Sequence, residues 1–211
     1  MASKNYDPVK RTLDIVLSSA VLVVTMPLQL LVAGLVAINL GRPVLFRQQR
    51  PGLNGEIFEL VKFRSMKEVD HEKNLITNEQ RITRFGKFIR ATSLDELPSL
   101  VNIARGEMSL VGPRPLRVDY LPRYSAEQGR RHDVRPGLTG LAQISGRNAL
   151  GWEDRFKLDV KYVDERSLKL DIEILFRTIG KVLKRDGISS EGHVGSMPFL
   201  GSEDQKNSEK E

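Results

Sequence analysis

Residues 15–40 read IVLSSAVLVVTMPLQLLVAGLVAINL, a run of apolar and small polar side chains that contains no Asp, Glu, Lys or Arg. Asp14 precedes this run and Arg42 follows it. As a helix rising about 1.5 Å per residue, the run would reach roughly 39 Å, more than the apolar thickness of a bilayer, about 30 Å. It is too long for the apolar region of a signal peptide, and no small-residue cleavage site follows it. The run therefore predicts a helix embedded in a membrane.

Two features of this segment bear on how it sits in the membrane. Basic residues occur on both sides, with Lys10 and Arg11 before it and Arg42 after it, and the positive-inside rule places both ends on the cytoplasmic side. Pro27 lies near the middle, where a proline removes a backbone hydrogen bond and favours a kink. A helix that enters, bends at Pro27 and returns to the same face satisfies both features. A kinked helix that spans the membrane is the alternative, because prolines are tolerated there.

The composition narrows the classes of function. The 211 residues include no cysteine, which excludes disulfides, thiolate metal sites and cysteine nucleophiles. The three histidines are far apart in sequence, which argues against a zinc or non-haem iron site. The formal net charge of +6 fits anionic lipid, nucleic acid or phosphorylated substrates as partners. The same charge is also explained by solubility alone.

After the apolar segment the pattern changes. Residues 44–46 and 57–61 are rich in β-formers, and the turn-forming residues 50–55 separate them, which predicts a β-hairpin with a long loop. The polar residues 67–80 read as a loop or an irregular helix. Residues 201–211 have almost nothing to bury, so we expect a disordered tail there.

Two further segments are amphipathic. Residues 82–90 alternate apolar and basic side chains at helical spacing. A longer apolar stripe is opposed by basic residues; its members are Ile172, Leu175, Phe176, Ile179, Val182 and Leu183. Such helices can lie in the membrane interface with the apolar face towards the lipid, or they can cover a soluble core.

Ser93-Leu94-Asp95-Glu96-Leu97-Pro98 permits two interpretations. Ser93 could be a helix N-cap with Glu96 at the third helical position, which is the pattern of a capping box. Alternatively, Asp95 could be a carboxylate nucleophile held ionised at a helix start, with Glu96 beside it to hold a magnesium ion. The two interpretations are compatible, because a cap can aim the nucleophile.

Several arginines lie in loops that prolines and glycines make rigid. The stretches are Val111-Gly112-Pro113-Arg114-Pro115, Val134-Arg135-Pro136-Gly137-Leu138-Thr139-Gly140 and Gln143-Ile144-Ser145-Gly146-Arg147-Asn148. An arginine in a rigid loop is a pre-positioned fork for phosphate oxygens. Each could equally bridge two loops through a salt bridge.

Taken together, these motifs resemble those of the bacterial sugar transferases, and in particular the small monotopic phosphoglycosyl transferases. The resemblance runs from about residue 10 to residue 199 and rests on these stretches: Lys10-Arg11, the apolar segment with Pro27, Arg50-Pro51-Gly52, Lys62-Phe63-Arg64-Ser65-Met66, Ser93-Leu94-Asp95-Glu96-Leu97-Pro98, Gly112-Pro113-Arg114-Pro115 and Val134-Arg135-Pro136-Gly137. Two departures occur: Met26-Pro27 stands where the family often has Ser-Pro, and Ser145 replaces a common Asn.

The resemblance implies a mainly α fold with a small β-hairpin, a re-entrant N-terminal helix and interfacial amphipathic helices. It implies a membrane segment at residues 1–43, a cytoplasmic catalytic domain at residues 44–200 and a tail at residues 201–211. By the family pattern Asp95 is the nucleophile and Glu96 the partner of a Mg²⁺ cofactor. The pattern also implies substrate-binding roles, at or near the active site, for Lys62, Arg90, Arg114, Arg147 and Asp159.

The reaction that the resemblance implies moves a sugar-1-phosphate from a UDP-sugar to polyprenol phosphate at the cytoplasmic face of the bacterial inner membrane. Asp95 would carry the phosphosugar between two steps, and UMP would leave. We expect membrane lipids as partners, downstream glycosyltransferases as further candidates, and no nucleic acid. The rival hypothesis is a non-catalytic scaffold or anionic-lipid-binding module at the membrane surface.

Overall fold

The computed structural model of the chain describes residues 6–146, 150–184 and 198–201. It is mainly helical, with two small sheets, as predicted. The α-helices are α1 (Tyr6–Leu40), α2 (Asn78–Arg81), α3 (Arg84–Ala91), α4 (Leu100–Arg105), α5 (Ala126–Gly129), α6 (Leu141–Ser145), α7 (Trp152–Glu165) and α8 (Leu168–Lys184). The strands are β1 (Leu45–Pro51), β2 (Ile57–Phe63), β3 (Ser109–Val111) and β4 (Gly137–Thr139). Short 3₁₀ helices occur at Leu53–Gly55, Leu94–Ser99, Val118–Arg123 and Arg130–His132.

The predicted hairpin is present. Strands β1 and β2 pair in antiparallel fashion, with Leu45 opposite Phe63 and Pro51 opposite Ile57. The loop contains the 3₁₀ turn Leu53–Gly55, in which Asn54 adopts a left-handed backbone with φ of 54°. The second sheet consists of β3 paired in parallel with β4 and was not predicted. Strand β3 leads into the stretch with Arg114, and β4 lies in the stretch with Arg135. Three residues are too few to show a strand pattern in the sequence.

Helix α1 is the one helix in the described part of the chain that is long and apolar enough to cross a membrane. It continues through Pro27 without interruption over 35 residues. The helical assignment alone does not measure a bend, so the bend at Pro27 stays a prediction. Thr25 donates its hydroxyl to the carbonyl of Val21 (2.6 Å), and Gln29 donates to the hydroxyl of Thr25 (2.9 Å). These bonds link side chains near the proline, but neither involves the carbonyl of Val23, which Pro27 leaves without its usual N–H donor.

Both ends of α1 pack against the rest of the protein. Near its start, Arg11 donates to the carbonyls of Ile103 (2.7 Å) and Ala104 (2.9 Å) in α4. Near its end, Val32 and Val36 are buried in a cluster with Phe63 of β2 and Ile89 of α3. Between these contacts the helix leaves much apolar surface uncovered, since only 11% of its most apolar window is buried. The helix is therefore held at two points by one folded body.

The two amphipathic segments divide their apolar side chains between core and surface. In α8, Ile174 is buried in a core cluster, whereas Ile172, Phe176 and Ile179 are exposed. In α3, Ile89 is buried and Phe88 is exposed. The stripes therefore cover a protein core and leave an outer apolar row as well. That this row contacts lipid stays a prediction.

Candidate active site

Asp95 and Glu96 lie in the first turn of the 3₁₀ helix Leu94–Ser99. Ser93, the residue before it, has a left-handed backbone with φ of 56°, and its side chain forms no capping hydrogen bond. The predicted capping box is therefore wrong. An N-cap aims its oxygen at the third helical N–H from an extended backbone, which the left-handed turn at Ser93 does not provide. The Glu96 side chain binds Arg114 instead.

Side-chain hydrogen bonds join the segment that carries Asp95 to strand β2. Asn102 accepts from the N–H of Val61 (3.1 Å) and donates to the carbonyl of Glu59 (2.7 Å). Ser99 donates its hydroxyl to the carbonyl of Val61 (2.8 Å). Because Lys62 follows Val61, these bonds bring its ammonium group into the electrostatic neighbourhood of Asp95.

Asp95 lines a cavity of about 680 Å³. The charged and polar side chains in its wall include Arg50, Lys62, Arg90, Asp95, Glu96, Arg114, Arg117, Gln143, Arg155 and Asp159. The structure thus brings together six residues that the family pattern suggested. Arg147, the seventh, lies outside the described residues.

A second part of the cavity wall is apolar. It includes Val21 of α1, Leu175, Ile179 and Val182 of α8, and Leu97, Leu100, Leu110 and Leu138. Ile179 is also part of the exposed apolar row on α8. One cavity therefore joins a charged region to an apolar region that borders the outer surface.

The electrostatic setting of Asp95 differs from that of Glu96. Asp95 is 4% exposed. Burial raises the pKa of Asp95 to about 6; the charge of Glu96 adds to this, and the cations Lys62 and Arg90 oppose it. Burial also opposes the ionisation of Glu96, but the charge of Arg114 and its hydrogen bond of 2.6 Å outweigh it and lower the pKa. Both carboxylates are therefore mainly ionised above pH 7.

The pKa values of the neighbouring cations are shifted as well, in different directions. Burial lowers the pKa of Lys62, although Asp95 and Glu96 attract its charge. The charge of Glu96 raises the pKa of Arg114. Lys62, Arg90 and Arg114 thus surround two carboxylates, and their positive charge is available to phosphate oxygens that approach Asp95.

Asp159 reaches this centre through Arg131. The two side chains are almost fully buried and form an ion pair of 2.8 Å. Arg131 also donates to the backbone carbonyl of Arg114 (2.7 Å). Asp159 therefore holds Arg131, which in turn fixes the backbone at Arg114, although Asp159 also contributes to the cavity wall.

The glycines of the arginine-bearing loops permit a close backbone approach. A Cβ atom on Gly112 would lie 2.5 Å from the carbonyl oxygen of Arg135, and one on Gly137 would lie 2.0 Å from the nitrogen of Gly112. Real side chains do not occupy such positions, so both residues must be glycine for the loops to meet. This contact places Arg114 beside the 3₁₀ helix that carries Glu96.

Sequence reasoning did not single out Arg50, Arg117, Arg155 and Gln143 as cavity residues. Arg50 was noted only as part of the motif Arg50-Pro51-Gly52, and Arg155 lies on α7, where a basic residue is usually interpreted as solvated surface. In the structure the Arg155 guanidinium lies 4.4 Å from the centre of the Trp152 ring, and both line the cavity. A pairing of arginine with an aromatic three residues earlier on a helix was the available signal.

The predicted membrane residues Lys10 and Arg11 face the protein. Lys10 forms an ion pair with Asp171 of α8, and Tyr6 donates to the same carboxylate (2.6 Å). With the Arg11 bonds to α4, these contacts attach the start of α1 to the two elements that border the cavity. Their basic character therefore serves docking of α1 in addition to any effect on topology.

Among the residues that the structure describes, no three His, Asp or Glu side chains are arranged to hold a metal ion. The pair Asp95 and Glu96 still fits Mg²⁺, because this ion commonly takes one or two carboxylates and completes its shell with phosphate oxygens and water. Glu96 would bring carboxylate oxygens to such an ion while Arg114 holds its side chain in place.

The long apolar helix packs against a cavity. One part of the cavity wall carries paired carboxylates and arginines, and the other part is apolar. This combination fits a membrane-associated transferase. The chain belongs to the bacterial sugar transferase family, whose model matches residues 5–185.

Known relatives agree with this membership. The chain is 49% identical over 196 residues to the uncharacterized sugar transferase EpsL of Bacillus subtilis (strain 168), covering 92% of this chain and 97% of EpsL. It is 41% identical over 205 residues to the undecaprenyl-phosphate galactose phosphotransferase of Salmonella typhimurium, covering 89% of this chain and 43% of that protein. It is 40% identical over 188 residues to the UDP-glucose:undecaprenyl-phosphate glucose-1-phosphate transferase of Escherichia coli (strain K12), covering 82% of this chain and 39% of that protein. The chain thus spans about two fifths of the length of the latter two proteins.

Proposed function

We propose that the chain transfers a sugar-1-phosphate from a UDP-sugar to polyprenol phosphate, with Asp95 as the nucleophile. The observation that carries the proposal is the placement of Asp95: a buried carboxylate with a pKa of about 6, beside Glu96 and among three cations, in a cavity that has both a charged and an apolar wall. The Salmonella and Escherichia relatives are named as transferases that use undecaprenyl phosphate, which supports the acceptor.

In the first step a carboxylate oxygen of Asp95 attacks the β-phosphorus of the UDP-sugar. The bond between that phosphorus and the bridging oxygen breaks, and UMP leaves with the oxygen and its electron pair. The charge that builds on the phosphate oxygens is stabilised by Lys62, Arg90 and Arg114. Arg114 needs little movement to do so, because Glu96 and Arg131 already hold it in place.

In the second step an oxygen of polyprenol phosphate attacks the same phosphorus. The acyl-phosphate bond breaks, the Asp95 carboxylate is restored, and a polyprenyl diphosphate sugar leaves. The apolar wall from α1 and α8 fits the lipid chain of this acceptor. Asp95 and Glu96 would hold Mg²⁺, which when bound supplies further positive charge to the phosphate oxygens.

We also propose that α1 is re-entrant and that the catalytic cavity faces the cytoplasm. A helix whose start binds α4 and α8 and whose end packs on β2 and α3 has both ends on the side of the membrane where the folded body lies. The basic flanks on both ends support the cytoplasmic side.

The test uses the purified chain with UDP-sugars and undecaprenyl phosphate, and it measures UMP. We expect continuous UMP release with both substrates and a phosphosugar adduct on Asp95, seen by mass spectrometry, with the donor alone. A scaffold or lipid-binding module would release no UMP. A hydrolase would keep releasing UMP without the lipid acceptor, so either result contradicts the proposal.

A further inference from the structure

Arg50 lies at the end of strand β1, opposite Phe58 of β2, and lines the cavity. Strand β1 packs there against the 3₁₀ helix Val118–Arg123. The Arg50 side chain donates one hydrogen bond, from Nη2 to the amide oxygen of Gln48 (2.6 Å). Its Nε is buried and has no hydrogen-bond partner among the residues that the structure describes. A fork-shaped donor is thus held in the cavity wall with part of its capacity unused.

The charges around Arg50 are mainly of its own sign. Within the described ranges Arg50 forms no ion pair, whereas Arg114 binds Glu96 and Arg117 binds Asp119 (2.8 Å). Burial lowers the pKa of Arg50 to about 10, and the charges of Arg114 and Arg117 act in the same direction. A half-buried cation beside two other cations is unfavourable unless an anion joins them.

Arg114 connects this cation group to the centre around Asp95. It binds Glu96, and its charge acts on Asp95 and on Arg50 alike. A phosphate at Asp95 would therefore contact three cations, which are Lys62, Arg90 and Arg114. A second anion next to it would contact Arg50, Arg114 and Arg117. Two adjacent anion positions that share one arginine match the two phosphates of a nucleoside diphosphate.

We propose that Arg50 binds the α-phosphate of the nucleotide sugar, which leaves with UMP. The inference rests on the proposed function, since it takes the phosphate at Asp95 to be the β-phosphate. The acceptor brings a single phosphate to Asp95, and its lipid chain fits the apolar wall built by α1 and α8. Arg50 is therefore a residue for the donor and for UMP, and the acceptor does not need it.

The test compares UMP with uridine as ligands of the Arg50→Met variant, because uridine has the base and the ribose but no phosphate. The variant loses charged hydrogen bonds to the phosphate, so its Kd for UMP should be about 10- to 100-fold higher than that of the wild type. Its Kd for uridine should be unchanged. In turnover, the KM for the UDP-sugar should rise by a similar factor while the KM for undecaprenyl phosphate stays within about twofold. Arg50→Lys keeps the charge without the fork and should fall between the wild type and Arg50→Met.

Arg47→Met is the matched control, since Arg47 lies on the same strand but is exposed and paired with Glu59. Arg47→Met should leave the Kd values for UMP and for uridine unchanged.

Without ligand, Arg50→Met should melt at the same temperature as wild type or higher, because it removes an uncompensated cation. Unchanged UMP binding, an equal loss for uridine and UMP, or an equal rise in both KM values would overturn the inference. If Arg50→Met does not fold, unchanged UMP binding by Arg50→Lys overturns it. UMP binding needs no turnover, so a wild type that binds UMP but releases none from a UDP-sugar contradicts the proposed function alone.

Discussion

Asp95 combines two properties that rarely occur in one carboxylate: it is almost fully buried, and several cations surround it. Burial raises the pKa of Asp95, which strengthens it as a nucleophile, and Lys62 and Arg90 keep the rise small enough for ionisation at neutral pH. Glu96 stays ionised because it is bound to Arg114. Two neighbouring carboxylates thus differ in their roles because their environments differ.

Replacing Asp95 with Asn should abolish turnover without loss of the fold. An amide cannot form the acyl phosphate, so UMP release should fall by more than about 1000-fold. The folded pKa of about 6 lies above the ordinary value of 3.8, so the ionised carboxylate lowers stability as the pH rises through this window. At pH 8 the variant should therefore melt at or above the wild-type temperature. Substantial UMP release by the variant would contradict the assignment.

Replacing Glu96 with Gln should lower the pKa of Asp95. The negative charge of Glu96 is the second cause of the raised value, after burial, so its removal should move the titration below pH 6 and leave it above that of a free aspartate. Carboxyl ¹³C NMR of the metal-free protein measures this. If Glu96 also holds Mg²⁺, the variant should need more Mg²⁺ for half-maximal UMP release. An unchanged titration together with an unchanged Mg²⁺ requirement would leave Glu96 without a role at the site.

At the scale of elements, an apolar run predicts the long helix, and β-formers around a turn-rich stretch predict the hairpin. A helical hydrophobic period predicts the two amphipathic helices. It does not predict the 3₁₀ start at Leu94, since Ser93 and Glu96 have the pattern of a capping box and the left-handed turn depends on tertiary contacts. The pairing of Asp159 with Arg131 joins residues 28 positions apart, which no local pattern reports.

Asn102 lies in α4, directly after the 3₁₀ helix that carries Asp95, and forms two hydrogen bonds to strand β2. Replacing it with Ala would leave the buried N–H of Val61 and the carbonyl of Glu59 without this partner. We expect a loss of about 2–4 kcal/mol in the free energy of unfolding and a lower rate of UMP release. Thermal unfolding in detergent measures the first effect. Asn78→Ala, at an exposed position of α2, is the control and should alter neither. Wild-type stability of the Asn102 variant would show that the link is dispensable.

At the scale of the whole molecule, α1 is long and apolar enough for a membrane anchor, and it also contributes to the cavity wall. Val21 of α1 contributes to the cavity wall, and the two ends of α1 are bound to elements that carry or border Asp95. Displacing α1 would therefore also remove part of the cavity wall. This arrangement explains how a soluble nucleotide sugar and a lipid phosphate could use one pocket at the membrane surface.

The docking of α1 at both ends predicts its topology. Val9, at the start of the helix, and Val69, in the folded body after it, are about equally exposed, at 50% and 51%. The native chain has no cysteine, so Val9→Cys and Val69→Cys each introduce a single reactive thiol. If α1 is re-entrant, both thiols should resist a membrane-impermeant thiol reagent in intact bacteria, and both should react after the membrane is opened. A helix that spans would place the two positions on opposite faces, because the apolar run between them would cross the bilayer once. Labelling of Val9→Cys but not Val69→Cys in intact cells would therefore show a spanning helix, and labelling of Val69→Cys would place the cavity on the outer face.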